Sequence, residues 1–124
     1  MAHPQFTCSV AVRPLPEQSQ PDAGQYAFAY TVTIHNTGDI TAQLIARHWI
    51  IVDANGRTEE VRGLAVVGHQ PLLKPGEQFE YTSWTRLNTP NGTMRGTFFC
   101  MTEDAKPFDA DIPEFGLTLA SALH

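Results

Sequence analysis

A chain of 124 residues, 42% apolar and 17% charged, has the length of one domain and can bury a core without disulfide or metal staples. Its formal net charge of −5 excludes a protein whose main work is to neutralise a phosphate backbone, so nucleic acid is not expected as a partner. Nine prolines and nine glycines favour short strands and many turns over long helices.

Residues 6–13 alternate, with Phe6, Cys8, Val10 and Val12 on one face, and Pro14 and Pro16 end the run. Residues 17–24 are polar and proline-bearing, hence a loop. Residues 26–36 are the clearest strand. Tyr26, Phe28, Tyr30, Val32 and Ile34 fall on every second position, and Asn36-Thr37-Gly38-Asp39 turns the chain. In the next run, residues 40–52, both faces of the middle are apolar except at Arg47 and His48. That is the pattern of a central strand, with Trp49 expected in the core. Asn55-Gly56 is a hairpin signal, and the polar return over residues 57–62 reads as an exposed edge.

A segment of different character follows, residues 61–77, reading VRGLAVVGHQPLLKPGE. Beyond it, residues 78–86 place Phe79, Tyr81 and Ser83 on one face and Glu80, Thr82 and Trp84 on the other. Residues 88–92 form a turn cluster, and residues 93–103 an aromatic strand. Residues 104–111 are expected as an acidic, proline-bearing loop, residues 112–119 as the last strand, and residues 120–124 as a frayed tail. Seven or eight short strands without a helix predict an all-β domain over residues 1–124. The expected form is an immunoglobulin-like, fibronectin type III-type β-sandwich, with a small barrel as the alternative.

Within the organising segment, Gly63-Leu64-Ala65-Val66-Val67-Gly68 has the spacing of a phosphate-cradling G-x-G-x-x-G, with Ala65 at the middle glycine. No helix follows, so no helix dipole would assist an anion. Two readings stay open. Exposed backbone amides can form an anion nest, with Arg62, His69 and Lys74 supplying charge. Alternatively, Gly63 and Gly68 mark bulges where a strand crosses between sheets, and the basic residues are solvated surface.

No catalytic constellation stands out. The serines lie outside any nucleophile elbow, and adjacent carboxylates such as Glu59 and Glu60 point to opposite faces of a strand. The histidines and acidic residues lack metal-ligand spacing, although the acidic residues 103–114 could attract a divalent ion weakly. Cys8 and Cys100 match no zinc or disulfide framework and are expected as buried thiols. No cofactor is expected. The first residues lack a secretory pattern and no run of 18 apolar residues occurs, so a soluble cytoplasmic location is expected.

The run from Arg47-His48-Trp49 to Asn55-Gly56 closely resembles the bacterial ApaG proteins. So do Val61-Arg62-Gly63, Val66-Val67-Gly68, Pro71, Leu73-Lys74-Pro75-Gly76, Phe79-x-Tyr81-Thr82-Ser83, Met94-x-Gly96 and Phe115-x-Leu117. The resemblance covers residues 6–119. It implies the same sandwich, an association with cobalt resistance and magnesium efflux, and a gene that neighbours one for a diadenosine tetraphosphatase. Related domains in eukaryotic F-box proteins and a polymerase-interacting protein imply protein binding. The family's G-x-G-x-x-G loop implies a pyrophosphate site, which in this chain falls on Gly63–Gly68 with Ala65 as a departure. The expectation is therefore a non-enzymatic binding module that takes a protein partner or a small phosphorylated anion at Arg62, Gly63, Leu64, Ala65, Val66, Val67, Gly68, His69 and Lys74. A metal-dependent diadenosine polyphosphate hydrolase and a direct divalent-metal sensor are the alternatives. Dimerisation through the polar edge strand is left open.

Overall fold

A computed structural model describes residues 2–119. The expected fraying over residues 120–124 lies outside the described residues. Eight strands form two antiparallel sheets. The first sheet has the order β1-β2-β6, from β1 (Phe6–Pro14), β2 (Tyr26–Asn36) and β6 (Gln78–Leu87). The second has the order β4-β3-β7-β8, from β3 (Ala42–Asp53), β4 (Thr58–Leu64), β7 (Asn91–Thr102) and β8 (Pro107–Thr118). The two-residue β5 (Leu72–Leu73) pairs with the beginning of β3. This is the expected all-β sandwich.

The core lies between the sheets because period-two strands turn one apolar face inward. Phe28, Val32 and Ile34 from β2 meet Leu44, Trp49 and Ile51 from β3 and Phe98 from β7. Trp49 makes edge contacts with Tyr30, Phe98 and Phe115 at centroid distances of 5.5–6.1 Å. Gly96 lies opposite Trp49 in the ladder, and a Cβ there would fall 2.7 Å from the indole and 2.6 Å from the His48 carbonyl.

Two departures from alternation carry weight. On β3 the register with β7 slips between Leu44 and Ala46, so Ile45 is an extra residue. The slip keeps Leu44 inward and then turns Arg47 inward as well, in line with Trp49 and Ile51. On β7–β8 the slip lies between Met94 and Gly96, where Pro113 is accommodated on the partner strand. β8 is also longer than expected. The acidic stretch assigned to a loop over residues 104–111 is strand from Pro107 onward, with Ala110 and Ile112 buried and Asp109 and Asp111 exposed between them. Charged residues at alternate positions obscured that strand, because its outer face is solvated.

The polar segment after β1 holds two single-turn 3-10 helices, Pro16–Gln18 and Pro21–Ala23. It crosses the outer face of β2, where Leu15 N–H donates to the Ala27 carbonyl and Ala27 N–H to the Ser19 hydroxyl. That cover explains why Ala27 and Ala29 are buried although they face away from the core.

Candidate functional site

β4 and β5 both lie against the same edge of β3, at Ala46–Val52 and Ala42–Gln43. Residues 65–71 therefore leave that edge and return to it as a short strap over the gap. The Ile45 carbonyl, displaced from the ladder by the bulge, accepts the Ala65 N–H at 2.8 Å and the Gln70 side-chain amide at 2.9 Å. The Leu44 N–H donates to the Pro71 carbonyl at 3.1 Å, and the Gln43 side chain to the Gln70 carbonyl at 2.9 Å. Farther on, buried Asn36 ties the return down by donating to the carbonyls of Ile40 and Leu73.

The strap is a hairpin with two residues at its tip. Val66 and His69 exchange both backbone hydrogen bonds, at 2.8 and 2.9 Å. Val67 and Gly68 between them have φ of 47° and 80°, the positive pair that a type I′ turn requires. Ala65 also sits at φ 68°. The methyl at the middle position of the motif therefore does not forbid the left-handed conformation; it holds it at a cost of about 1–2 kcal/mol. A β-branched residue with positive φ, as at Val67, is rarer still.

Gly63 has a different role. It pairs directly with Arg47, and a Cβ on it would fall 2.8–3.0 Å from the guanidinium. The missing side chain leaves room for Arg47 to reach the strap, where Nη1 donates to the carbonyls of Leu64 at 2.7 Å and Ala65 at 2.9 Å. Neither Gly63 nor Gly68 marks a sheet-to-sheet bulge, the architectural role considered from sequence. One gives a guanidinium passage and the other closes a turn.

The expected site residues thus divide. Arg62, Gly63 and Leu64 line a groove of about 590 Å³ on the outer face of the second sheet, with His48, Phe99 and Asp109 across it. In that groove His48 Nε2 lies 2.8 Å from a Glu60 carboxylate oxygen, to which Arg62 donates at 3.3 Å. The hydrogen bond from His48, then that from Arg62, holds the Glu60 carboxyl below its usual range. Val66 is buried in the core, whereas Leu64, Val67 and Leu72 are 72%, 58% and 60% exposed. His69 lies against Phe79 of the first sheet, 5.5 Å between centroids, and Lys74 belongs to the turn before β6, its N–H donating to Glu77. Arg62, His69 and Lys74 lie on three different parts of the fold. The N–H groups of Ala65, Val66 and His69 are taken up by backbone carbonyls. Those of Val67 and Gly68 make no hydrogen bond among the described residues.

Beneath the strap is a second space, of about 200 Å³, between the two sheets. Val66, Val67, Trp49 and Arg47 meet Tyr81 and Ser83 of β6 around it. Tyr30 completes the wall. The Tyr81 hydroxyl is buried and has no hydrogen-bond partner among the described residues. Burial pushes the pKa values of both tyrosines up, against which the positive charge of Arg47 acts. Arg47 is the residue that sequence reasoning left out of the site. The available signal was its place in an apolar central strand, but only the Ile45 bulge turns it inward.

Cys100 is buried as expected, whereas Cys8 is only half-buried; burial pushes both thiol pKa values up to about 12. Among the described residues no group of three His, Cys, Asp or Glu side chains is placed to hold a metal ion. No helix there is long and apolar enough to cross a membrane.

The profile of the ApaG domain matches residues 16–102. Protein ApaG of Ralstonia nicotianae is 57% identical over 124 residues, the whole of both chains. Protein ApaG of an Acidovorax species is 63% identical over 115 residues, covering 91% of this chain and 84% of that one. A crystal structure of the ApaA protein from Bordetella pertussis superposes with a TM-score of 0.92 at 56% identity, covering 96% of this chain and 97% of that one. With the domain profile, the full-length relatives and the fold in agreement, the chain belongs to the ApaG family.

Proposed function

We propose that this ApaG-family protein is a non-catalytic binding module whose strap face receives a protein partner. One observation carries the reading: Leu64, Val67 and Leu72 stand 58–72% exposed on a segment whose backbone is bonded down along its length. Exposed apolar side chains on a fixed backbone lose little entropy when covered, which favours association. The raised thiol pKa values make neither cysteine a thiolate nucleophile at neutral pH. An effect on cobalt resistance and magnesium efflux, as the family resemblance implies, would run through such a partner, from a cytoplasmic location.

A small phosphorylated anion is the second reading. The unengaged amides of Val67 and Gly68 support it.

The test is a titration of ¹⁵N-labelled protein with pyrophosphate, together with a photo-crosslinking residue placed at Val67 in cells. A defined crosslinked protein, with the Gly63–Gly68 amides unmoved by pyrophosphate, supports the first reading. Concerted, saturating shifts of those amides support the second. Turnover of a diadenosine polyphosphate that is lost on chelation, or submicromolar cobalt binding with imidazole ligation, would overturn both.

A further inference from the structure

We propose that the free edge of β4 joins the same edge of a second copy of this chain, antiparallel about a two-fold axis at Val61, so that one sheet runs through both copies.

β4 stands at the end of the second sheet, and among the described residues it pairs with β3 alone. Its seven residues keep one unbroken register with β3 and include no proline. Such an edge presents a row of unmet backbone groups and is a template for another strand. The opposite edge of the sheet differs, since β8 lies beside β1.

The β3–β4 ladder fixes which groups are free. Asp53 N–H donates to the Arg57 carbonyl and Ala65 N–H to the Ile45 carbonyl, at its two ends. With a period of two, Glu59, Val61 and Gly63 also turn their backbone groups to β3, and those of Thr58, Glu60, Arg62 and Leu64 point out from the edge. Of these, the Leu64 carbonyl is engaged by Arg47. A second copy can bond this row only where outward residues oppose outward residues. In an antiparallel two-fold pair, that places the axis at a residue and not between two.

Charge then selects the residue. An axis at Glu60 or Arg62 sets that residue opposite itself, like charge on like. An axis at Glu59, Gly63 or either end leaves much of the edge unpaired. An axis at Val61 aligns the whole of Thr58–Leu64 and sets Glu60 opposite the partner's Arg62, twice over. Arg62 suits the exchange. Its side chain is 72% exposed, and one nitrogen reaches its own Glu60 at 3.3 Å, which leaves guanidinium donors for a second carboxylate. On the other face Val61, half-buried at the rim of the core, would meet its own copy. Edge strands guarded against pairing carry charges that repel a copy, whereas the order of signs on β4 attracts one. Leu64 belongs both to this edge and to the strap face, so a second copy and a strap partner would compete at that residue.

The experiment is analytical ultracentrifugation of the full chain at low ionic strength. The expected result is a monomer at about 5 µM and a dimer at about 0.5 mM, the weak range of a small interface. Glu60→Arg gives an edge with two cations and Arg62→Glu one with two anions. Each variant, with a spectrum matching that of the parent chain, should dimerise about tenfold or more weakly by itself. Mixed in equal amounts, the two should form a one-to-one dimer as tight as that of the parent chain, because every opposed pair again has opposite signs. Val61→Cys should give a disulfide-linked dimer under mild oxidation, since residues opposed at such a position have Cα atoms about 4.5 Å apart. Glu59→Cys would lie roughly 13 Å from its copy and should not crosslink. The proposal is overturned if the chain stays monomeric over the whole range or if either variant dimerises as the parent does. It is equally overturned if the mixture stays monomeric, or if Glu59→Cys crosslinks as readily as Val61→Cys.

Discussion

Gly63 and Arg47 should behave as one energetic unit, and a double-mutant cycle exposes this. Arg47→Met removes two guanidinium–carbonyl bonds of 2.7 and 2.9 Å while keeping an unbranched apolar stem. At about 1 kcal/mol each in this partly exposed setting, the loss is about 2 kcal/mol. For a domain of this length that lowers Tm by about 7 °C. Gly63→Ala adds a methyl 2.8 Å from Nη1 and 2.9 Å from Nη2, and Gly63 has no positive φ to oppose it. The methyl displaces the guanidinium and costs the same bonds. It also recovers about 0.5–1 kcal/mol by stiffening the unfolded chain, so its net cost is about 1–1.5 kcal/mol. In the Arg47→Met background there is no guanidinium to displace, and Gly63→Ala should stabilise by about 0.5–1 kcal/mol. The coupling is then about 2 kcal/mol, against about 0.5 kcal/mol for independent sites. Chemical denaturation of the four proteins measures it. Additive effects would refute the assignment of Gly63 as a passage for Arg47.

Ala65→Gly should stabilise the fold by about 0.5 kcal/mol, since relief of the left-handed alanine slightly exceeds the added chain entropy; a lower denaturation midpoint would contradict this. Gly96→Ala should cost about 3 kcal/mol in the same assay, because the methyl meets the His48 carbonyl and the Trp49 ring and neither has room to yield. Tyr81→Phe should leave the protein equally stable or raise its stability by about 1 kcal/mol, as read from its melting curve, because the hydroxyl it removes is buried without a partner among the described residues. Cys8 and Cys100 should resist a thiol reagent at pH 8 until the protein is unfolded. Their pKa values rise from 9.0 to about 12 on folding, so above pH 9 the unfolded chain loses thiol protons that the native chain keeps. Their contribution to stability is complete below pH 9 and falls as the pH climbs toward 12, which urea titrations across that range would show.

The legible parts of the fold were those with one wet face or two dry ones. β2 and β3 announced themselves through Tyr26–Ile34 and Leu44–Val52, and Trp49 fell in the core as its place on a central strand required. The first half of β8 did not, because Asp109 and Asp111 alternate with Ala110 and Ile112 and give the stretch an acidic composition. At the site, the Gly63–Gly68 spacing identified the segment that departs from regular pairing. It did not reveal what each position does there. Gly63 answers to a side chain 16 residues upstream, and Ala65 occupies the conformation for which glycine is the usual choice. Arg47 and Tyr81 could not be brought together from sequence, since their meeting depends on the bulge at Ile45 and on which strands face one another.

The order of the first sheet has a kinetic consequence. β1 and β2 are near neighbours in the chain, but the other partner of β2 is β6, and contacts such as Thr31–Thr82 span 51 residues. The second sheet assembles almost wholly from the intervening and following segments, so β6 cannot dock until much of the chain has been brought into position. Sandwiches with pairings this distant form in milliseconds to seconds, much more slowly than helical bundles. During that interval β2 presents an unpaired, aromatic-rich edge. Synthesis extends the exposure, because at about 5–20 residues per second the ribosome takes several seconds to deliver β6 after β2 has emerged.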